Sequence, residues 1–397
     1  MHLKIKKMKA SLIALFLITI LVGCNSSSKT QKESSFLGVY TPVDSSLNII
    51  ITDSVNFIPL ETKEECLIGN PDKYKVVKDR IYVADMKATN SLYVFNINGK
   101  FLNKYSSHGK GPQEFAGRIN DFDVKDQVYL LTNFGEVICL SLEGEFRWKK
   151  KINIYPRAIS RRSDGFCFGM RYHETVPTNR KKDEYYNVVL TDHDLNITKK
   201  IQPFVYNVEG KRFRLSYSIF SYDTTTYLVP NISDSILVIN REKINSYKIL
   251  DSGYNSNQTK DNDFINKTYE EGKLSYIDNI LFANKNQLAF CYRRNRKPRV
   301  CLFDLKEKRV ESIRGYNYNI PNFTTLPFPF EGVATELGDE FFEIVHYTKI
   351  KKFKEQMTNN KLKGWKLKSG FKKKLIKCVE SSDVNSNPIV IRHICKL

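Results

Sequence analysis

The chain has 397 residues, 41% of them hydrophobic and 12% aromatic, with 63 Lys and Arg against 43 Asp and Glu for a formal net charge of +20. That length and apolar content exclude a disordered chain and allow either one large β domain or two ordinary ones. The charge is local: the first nine residues contribute four lysines, and residues 349–377 hold twelve lysines and one acid, Glu355. A nucleic-acid surface needs basic residues spread over a fold, so no nucleic-acid partner is expected.

The N-terminus carries Lys4, Lys6, Lys7 and Lys9, then thirteen uncharged residues, 10–22, then Leu21-Val22-Gly23-Cys24 overlapping their end. A basic region followed by a short apolar run is the anatomy of a secretory signal. The run is short of the roughly 20 residues that span a bilayer. The four-residue motif resembles the lipobox of bacterial lipoproteins, in which the Cys is acylated and becomes the new N-terminus. Cys24 is therefore the expected lipid attachment site, residues 1–23 a signal peptide, and residues 24–46 a polar tether. Several acyl chains on one Cys give stable membrane attachment where one chain gives only marginal binding.

From residue 47 onward, short alternating apolar runs are separated by turn residues, with almost no helical spacing, which predicts an all-β fold. A pattern recurs along it. Val77-Lys78-Asp79-Arg80-Ile81-Tyr82-Val83 is echoed by Val124-Lys125-Asp126-Gln127-Val128-Tyr129-Leu130, and residues 92–101 by residues 137–146, each with a Gly at the second turn. Weaker copies follow near residues 165–197, 226–244 and 287–310. A sixth begins near Gly332 and is completed by residues 388–394 across the lysine-rich segment. Repeats of about 40 to 50 residues holding four short strands are the signature of propeller blades.

The expectation is thus a six-bladed β-propeller of four-stranded antiparallel blades over residues 47–397, six being favoured over seven by the repeat count. A ring needs closure, or it is left with two open edges. Residues 54–60 read as a strand without a partner in the first blade, and are expected to join the last blade beside residues 388–394. Pro59 suits an edge strand. Residues 349–383 are expected as a short helical insert in the last blade, with Ile350, Phe353 and Met357 at helical spacing. Its lysines are either solvated helix faces or a contact with an anionic surface, made by Lys351, Lys352, Lys372 and Lys373 with Phe353, Trp365 and Phe371 dipping in.

Cysteine usage leaves seven thiols besides Cys24. Cys291 and Cys301 are symmetric about Arg296, so a cross-strand disulfide in an oxidising envelope stands beside the alternative of two buried thiols. Asp121 and Asp123 lie at strand spacing and read as solvated strand ends. No G-x-S-x-G, H-E-x-x-H or C-x-x-C motif is present, so no catalytic, cofactor-binding or metal-ligating residue and no cofactor is expected. The turn Gly109-Lys110-Gly111-Pro112 lacks the ending of a phosphate loop. Its neighbours His108, Lys110 and Glu114 are the candidates for a ligand-facing rim.

Together the lipobox, the strand Phe57-Ile58-Pro59-Leu60-Glu61-Thr62, the segment KDRIYVADMKATNSLYVFNINGKFL, the link Gly109-Lys110-Gly111-Pro112-Gln113-Glu114-Phe115 and the closing Asn387-Pro388-Ile389-Val390 resemble the six-bladed β-propeller lipoproteins of Gram-negative gut-type bacteria, which are similar to NHL-type and TolB-like propellers. The resemblance implies a monomeric propeller in the cell envelope, tethered to the outer membrane through lipid on Cys24. It further implies a non-catalytic binding or scaffold role toward an envelope protein, glycan or peptide. The acidic run that follows the Cys in surface-exported relatives is missing from Asn25-Ser26-Ser27-Ser28-Lys29, which leaves the periplasmic and outward faces both open. An envelope hydrolase or lyase with a central-channel metal is the alternative.

Overall fold

The structure is a computed structural model. It describes residues 35–40, 43–44, 49–106, 109, 111–170, 186–203, 218–222, 224–229, 234–240, 243–249, 275–283, 285–294, 297–313, 315–317, 340–346, 380–383 and 385–395, with scattered positions within 267–273 and 355–378. Residues 36–397 make up one compact unit.

Three strands precede the first blade: β1 (Ser35–Tyr40), β2 (Val43–Asp44) and β3 (Ile49–Pro59). The first two lie within the stretch read as tether. Blade 1 is β4 (Lys73–Val77), β5 (Arg80–Asp85), β6 (Ser91–Asn96) and β7 (Phe101–Tyr105). Blade 2 is β8 (Ile119–Val124), β9 (Val128–Thr132), β10 (Glu136–Leu140) and β11 (Phe146–Lys151). Blade 3 is β12 (Pro156–Arg162), β13 (Gly165–Met170), β14 (Tyr186–Thr191) and β15 (Ile197–Pro203). Blade 4 is β16 (Ser218–Tyr222), β17 (Thr225–Val229), β18 (Ser235–Asn240) and β19 (Lys243–Ile249). Blade 5 is β20 (Tyr276–Ala283), β21 (Gln287–Arg294), β22 (Lys297–Asp304) and β23 (Arg309–Ile313). The chain ends with β24 (Gly315–Asn317), β25 (Glu340–Val345) and β26 (Ile389–Cys395).

Each of the first five blades is an antiparallel meander, and the first strands of successive blades pack against one another around the ring. Period-two alternation builds the seams between blades, because alternate residues of a strand leave opposite faces of its sheet. In β5 and β6, Ile81, Val83, Tyr93 and Phe95 face the closing blade, while Tyr82, Ala84, Leu92 and Val94 face blade 2. Separate apolar clusters fill the seams between blades 2 and 3, 3 and 4, and 4 and 5. Cys291 and Ala289 of blade 5 share the closing cluster with Phe342 and Val390. Truncating one buried ring such as Phe95 costs about 3–5 kcal/mol in a site of this kind.

Closure follows the expectation. β26 pairs antiparallel with β25 on one side and with β3 on the other, setting Val390 against Ile58 and Ile389 against Pro59. The fourth strand of this sheet is β24, which runs parallel to β3 along Ile49, Ile50 and Ile51 and leaves the edge near Pro59 open. Residues 60–72 then carry the chain from the end of β3 to the start of β4. Asn387 pins them: it is buried, its Oδ1 accepts the Ile68 N–H at 2.9 Å, and its Nδ2 donates to the Glu61 carbonyl at 2.6 Å and the Cys66 carbonyl at 2.8 Å.

The N-terminal strands form a belt on the outside of the ring. β1 adds to β19 of blade 4, β2 runs parallel to β23 of blade 5, and β3 enters blade 6. The proposed cross-strand disulfide is corrected. The β21–β22 turn is two residues long, pairing Arg294 with Lys297, so Cys301 stands opposite Phe290 and Cys291 opposite Val300. That half-residue change of centre shifts the register by one and sends the two thiols to opposite faces, Cys291 into the closing cluster and Cys301 into the seam between blades 4 and 5. In the expected insert, residues 355, 373, 376–378 and 380 are helical. Among the described residues no helix is long and apolar enough to cross a membrane.

Asn387→Ala leaves one buried N–H and two carbonyls without this partner. The expected loss is about 3 kcal/mol, read as a lower midpoint in urea or thermal denaturation. An unchanged midpoint would show that these bonds do not hold the closure.

Candidate functional site

The first strand of each blade turns one edge toward the axis, with backbone groups that its own sheet cannot pair. On blades 2 and 3 side chains supply partners for some of these groups, and the network runs from blade 1 to blade 4. Spacing of two residues puts Lys73 and Lys75 on one face of β4, and Asp121 and Asp123 on one face of β8. Lys73 Nζ donates to Asp121 Oδ1 at 2.5 Å and to the Phe122 carbonyl at 2.9 Å, and Lys75 Nζ donates to Asp123 Oδ1. The second oxygen of each carboxylate reaches β12: Asp121 Oδ2 accepts the Ile159 N–H at 2.9 Å, and Asp123 Oδ2 accepts the Arg161 N–H at 2.6 Å and the Ser160 hydroxyl at 3.2 Å. Ser160 and Ser221 share a hydrogen bond of 2.5 Å, and Ser221 meets Thr226 at 2.9 Å. Arg162 donates to Thr226 at 3.3 Å and is paired with Asp164 at 2.8 Å.

Asp123 is 1% exposed. Burial works against its charge, yet the positive charges of Lys75 and Lys73, the Lys75 hydrogen bond and the Arg161 N–H outweigh it and hold the carboxyl below its ordinary 3.8. Each of the four oxygens of Asp121 and Asp123 accepts at least one hydrogen bond inside the ring. Their task is to bind blades together. Asp121 and Asp123 are therefore not solvated strand ends: the partners that bury them lie 48 residues earlier and 37 or 38 residues later. The signal was present in the repeats, where Lys73-Tyr74-Lys75-Val76 and Asp121-Phe122-Asp123-Val124 put opposite charges on equivalent strands. Among the described residues no three His, Cys, Asp or Glu side chains converge as a metal site. Burial also pushes the Cys139 and Cys167 thiols up to about 12, which keeps them protonated and unreactive.

Antiparallel meanders put the links between blades and the second-to-third-strand turns on one face of the ring, here the link face. The other turns lie on the opposite, turn face. Phe134, at the tip of the β9–β10 turn, and Tyr155, in the β11–β12 link, are each 48% exposed on the link face. Their backbone is braced. Asn133 N donates to the Arg118 carbonyl at 2.9 Å, Arg118 N to Asn133 Oδ1 at 2.8 Å, and Ile152 N to the Gly135 carbonyl at 2.8 Å. Gly135, at φ +74°, and Gly117, at φ +88°, permit this close approach: a Cβ on the first would strike the Ile154 carbonyl, and on the second the Phe134 ring. Neither aromatic was a candidate from sequence. An aromatic between Asn and Gly at a hairpin tip, where polar residues are usual, is the signal that marks Phe134.

Of the rim candidates, Glu114 braces its own loop: Oε2 accepts the Gly111 N–H at 2.8 Å, and Lys149 Nζ donates to the carbonyls of Gly111 at 3.2 Å and Glu114 at 2.5 Å. His108 and Lys110 lie outside the described residues, as do Cys24, Lys351, Lys352, Phe353, Trp365, Phe371 and Lys372. Lys373 is helical and exposed.

The family described as "Domain of unknown function (DUF4934)" matches residues 42–393. No curated protein matches the sequence significantly. A Bacteroides fragilis protein described as exported has a similar structure, at a TM-score of 0.64 and 18% identity, covering 90% of this chain and 99% of its own. That likeness bears on the fold. BamB from Moraxella catarrhalis matches at a TM-score of 0.39 and 11% identity over 64% of this chain and 63% of its own. The Pan2 WD40 domain of Neurospora crassa matches at 0.39 and 11% over 68% and 71%.

Asp123→Asn removes a charge on which Lys75 depends, and the expected cost at neutral pH is about 3 kcal/mol. A depressed carboxyl contributes stability that is complete above its unfolded value and is lost as pH falls through its lower folded value. The gap between wild type and variant in urea denaturation is therefore expected to be full at pH 7 and to narrow below about pH 4. A gap that stays constant down to pH 3 would contradict the charged role.

Proposed function

Because the chain belongs to the family described as "Domain of unknown function (DUF4934)", a description that names no reaction, we propose its function from the ring itself. It is a non-catalytic binding module of the cell envelope, exported and tethered to the outer membrane by lipid on Cys24, that recognises an envelope partner with its link face. The observation that carries this reading is the pair Phe134 and Tyr155, half exposed on braced backbone of blades 2 and 3. Large aromatics held rigid at a surface lose little entropy on binding and are common anchors of recognition. Asp121 and Asp123, whose oxygens each accept a hydrogen bond inside the ring, have a structural role there. The basic and apolar leader ending in Cys24 supports export, and so does the likeness to a protein described as exported.

The double variant Phe134→Ser, Tyr155→Ser is expected to lose about 2 kcal/mol or more of partner binding, roughly thirtyfold, when wild-type and variant rings are compared for retention of solubilised envelope components. Its denaturation midpoint should be nearly that of wild type. Equal retention by both proteins would remove the link face from the proposal.

Cys24→Ala is expected to abolish incorporation of labelled palmitate in growing cells and to move the protein from the membrane to the soluble fraction. Palmitate on the variant, or an unchanged membrane fraction, would remove Cys24 as the anchor.

A further inference from the structure

The aromatics of the link face sit in a closed circuit of contacts that also holds two arginines. The Arg118 N–H donates to Asn133 Oδ1 at 2.8 Å, and the Asn133 N–H to the Arg118 carbonyl at 2.9 Å. Phe134 follows, with its ring over Gly117, the residue before Arg118. Gly135 comes against the Ile154 carbonyl, next to Tyr155. Asn120 closes the circuit: its Nδ2 donates to the Pro156 carbonyl at 3.3 Å, and its Oδ1 accepts from the Arg157 guanidinium at 3.2 Å. Arg118, Phe134, Tyr155 and Arg157 thus belong to one patch over the seam between blades 2 and 3, and the Pro156 ring fixes the backbone between the last two.

Among the described residues neither arginine meets a carboxylate. Arg118 is exposed, and Arg157, half-buried, has Asn120 as its partner. Arg80, Arg147, Arg161 and Arg162 differ, each being paired with an acid. Of the neighbouring acids, Asp121 and Glu114 accept hydrogen bonds elsewhere, and Glu136 lies 4.0 Å from Lys149. A guanidinium donates and never accepts. Asn120 and Asn133 spend their amide oxygens within the circuit. What the patch offers outward is therefore donors and positive charge, set around two half-exposed rings.

We propose that this patch recognises an acidic peptide segment of a partner protein, in which carboxylates meet Arg118 and Arg157 while an apolar or aromatic side chain between them covers Phe134 and Tyr155. The inference rests on the reading of the link face as the recognition surface and gives that reading its partner chemistry. Carboxylates supply acceptors alone, which is what a surface of donors lacks, and charge-assisted bonds to arginine are the stronger kind and allow two parallel N–H···O contacts. A glycan fits less well. Its hydroxyls donate as well as accept, and those flanking an apolar sugar face would lose water over the Phe134 ring, whereas a peptide keeps its apolar side chains apart from its acids. The rings then give affinity, and the two charges give selectivity and a faster encounter.

The test selects random displayed peptides of about nine residues on the immobilised full chain, with oligogalacturonate as an acidic glycan in a parallel binding assay. Enriched peptides are expected to carry an aromatic or leucine residue flanked by two or more acids. A labelled synthetic copy should bind the double variant Arg118→Gln, Arg157→Gln at least about tenfold more weakly than wild type in fluorescence anisotropy. Its counterpart with amides in place of the acids should bind wild type just as weakly, and added salt should weaken the acidic peptide on wild type far more than on the variant. If the loss of the Asn120 contact lowers the denaturation midpoint of the double variant, Arg118→Gln alone carries the comparison. Enriched peptides without acids, or an affinity indifferent to the arginines and to salt, overturn the acidic partner. The link face itself survives that result if binding is still lost in Phe134→Ser, Tyr155→Ser, and falls with it if that variant binds as wild type does. Oligogalacturonate bound with no peptide enriched overturns the peptide in favour of a glycan, and no binding of either probe overturns the proposal.

Discussion

A propeller blade has an inner edge, and the rest of this molecule depends on how that edge is satisfied. The first strand of a blade pairs on one side only, and its remaining N–H and C=O groups face the axis. Each left unpaired there costs about as much as a lost hydrogen bond. Blades 1 to 3 meet the demand by exchange: lysines of β4 neutralise aspartates of β8, and those aspartates accept the N–H groups of β12. The ion pairs are too buried to be judged as surface pairs, and removing one partner would leave an uncompensated charge inside the ring.

The outer edges are managed by a different device. β11 and β15 keep charged residues along exposed strands, as in the Arg147, Lys149, Lys150 and Lys151 positions of β11, a common guard against edge-to-edge association. Blades 4 and 5 instead carry strands of the belt, and blade 6 takes β24. The same ring thus has one flank protected by charge and one by covalent continuity with its own N-terminus.

Much of this was legible in the sequence because repetition and alternation are local properties. The echo of residues 77–83 in 124–130, with a Gly closing each second hairpin, carried the blade count, and Pro59 beside a strand lacking a partner carried the closure. What lay hidden depended on register or on partners in another blade. The Cys291 and Cys301 pairing turned on whether the hairpin centre falls on Arg296 or between residues 295 and 296, half a residue that inverts a face. Asp121 and Asp123 looked solvated because the groups that bury them are contributed by neighbours on both sides. Phe134 and Tyr155 are exposed on one face only through folding, one from a hairpin tip and one from a link about twenty residues later.

The composition of blade 6 has a consequence for biogenesis. Its strands come from both ends of the chain, β3 from the start and β25 and β26 from the end, and Asn387 locks them only after nearly every residue has been delivered. A chain folding in order from blade 1 would hold five blades with two unpaired flanks until residues 387–395 arrive. Contacts that close a loop of this length form late and slowly. Completion of the ring thus waits on residues 387–395, and a chain truncated before Ile389 would remain open to proteases and chaperones at both flanks.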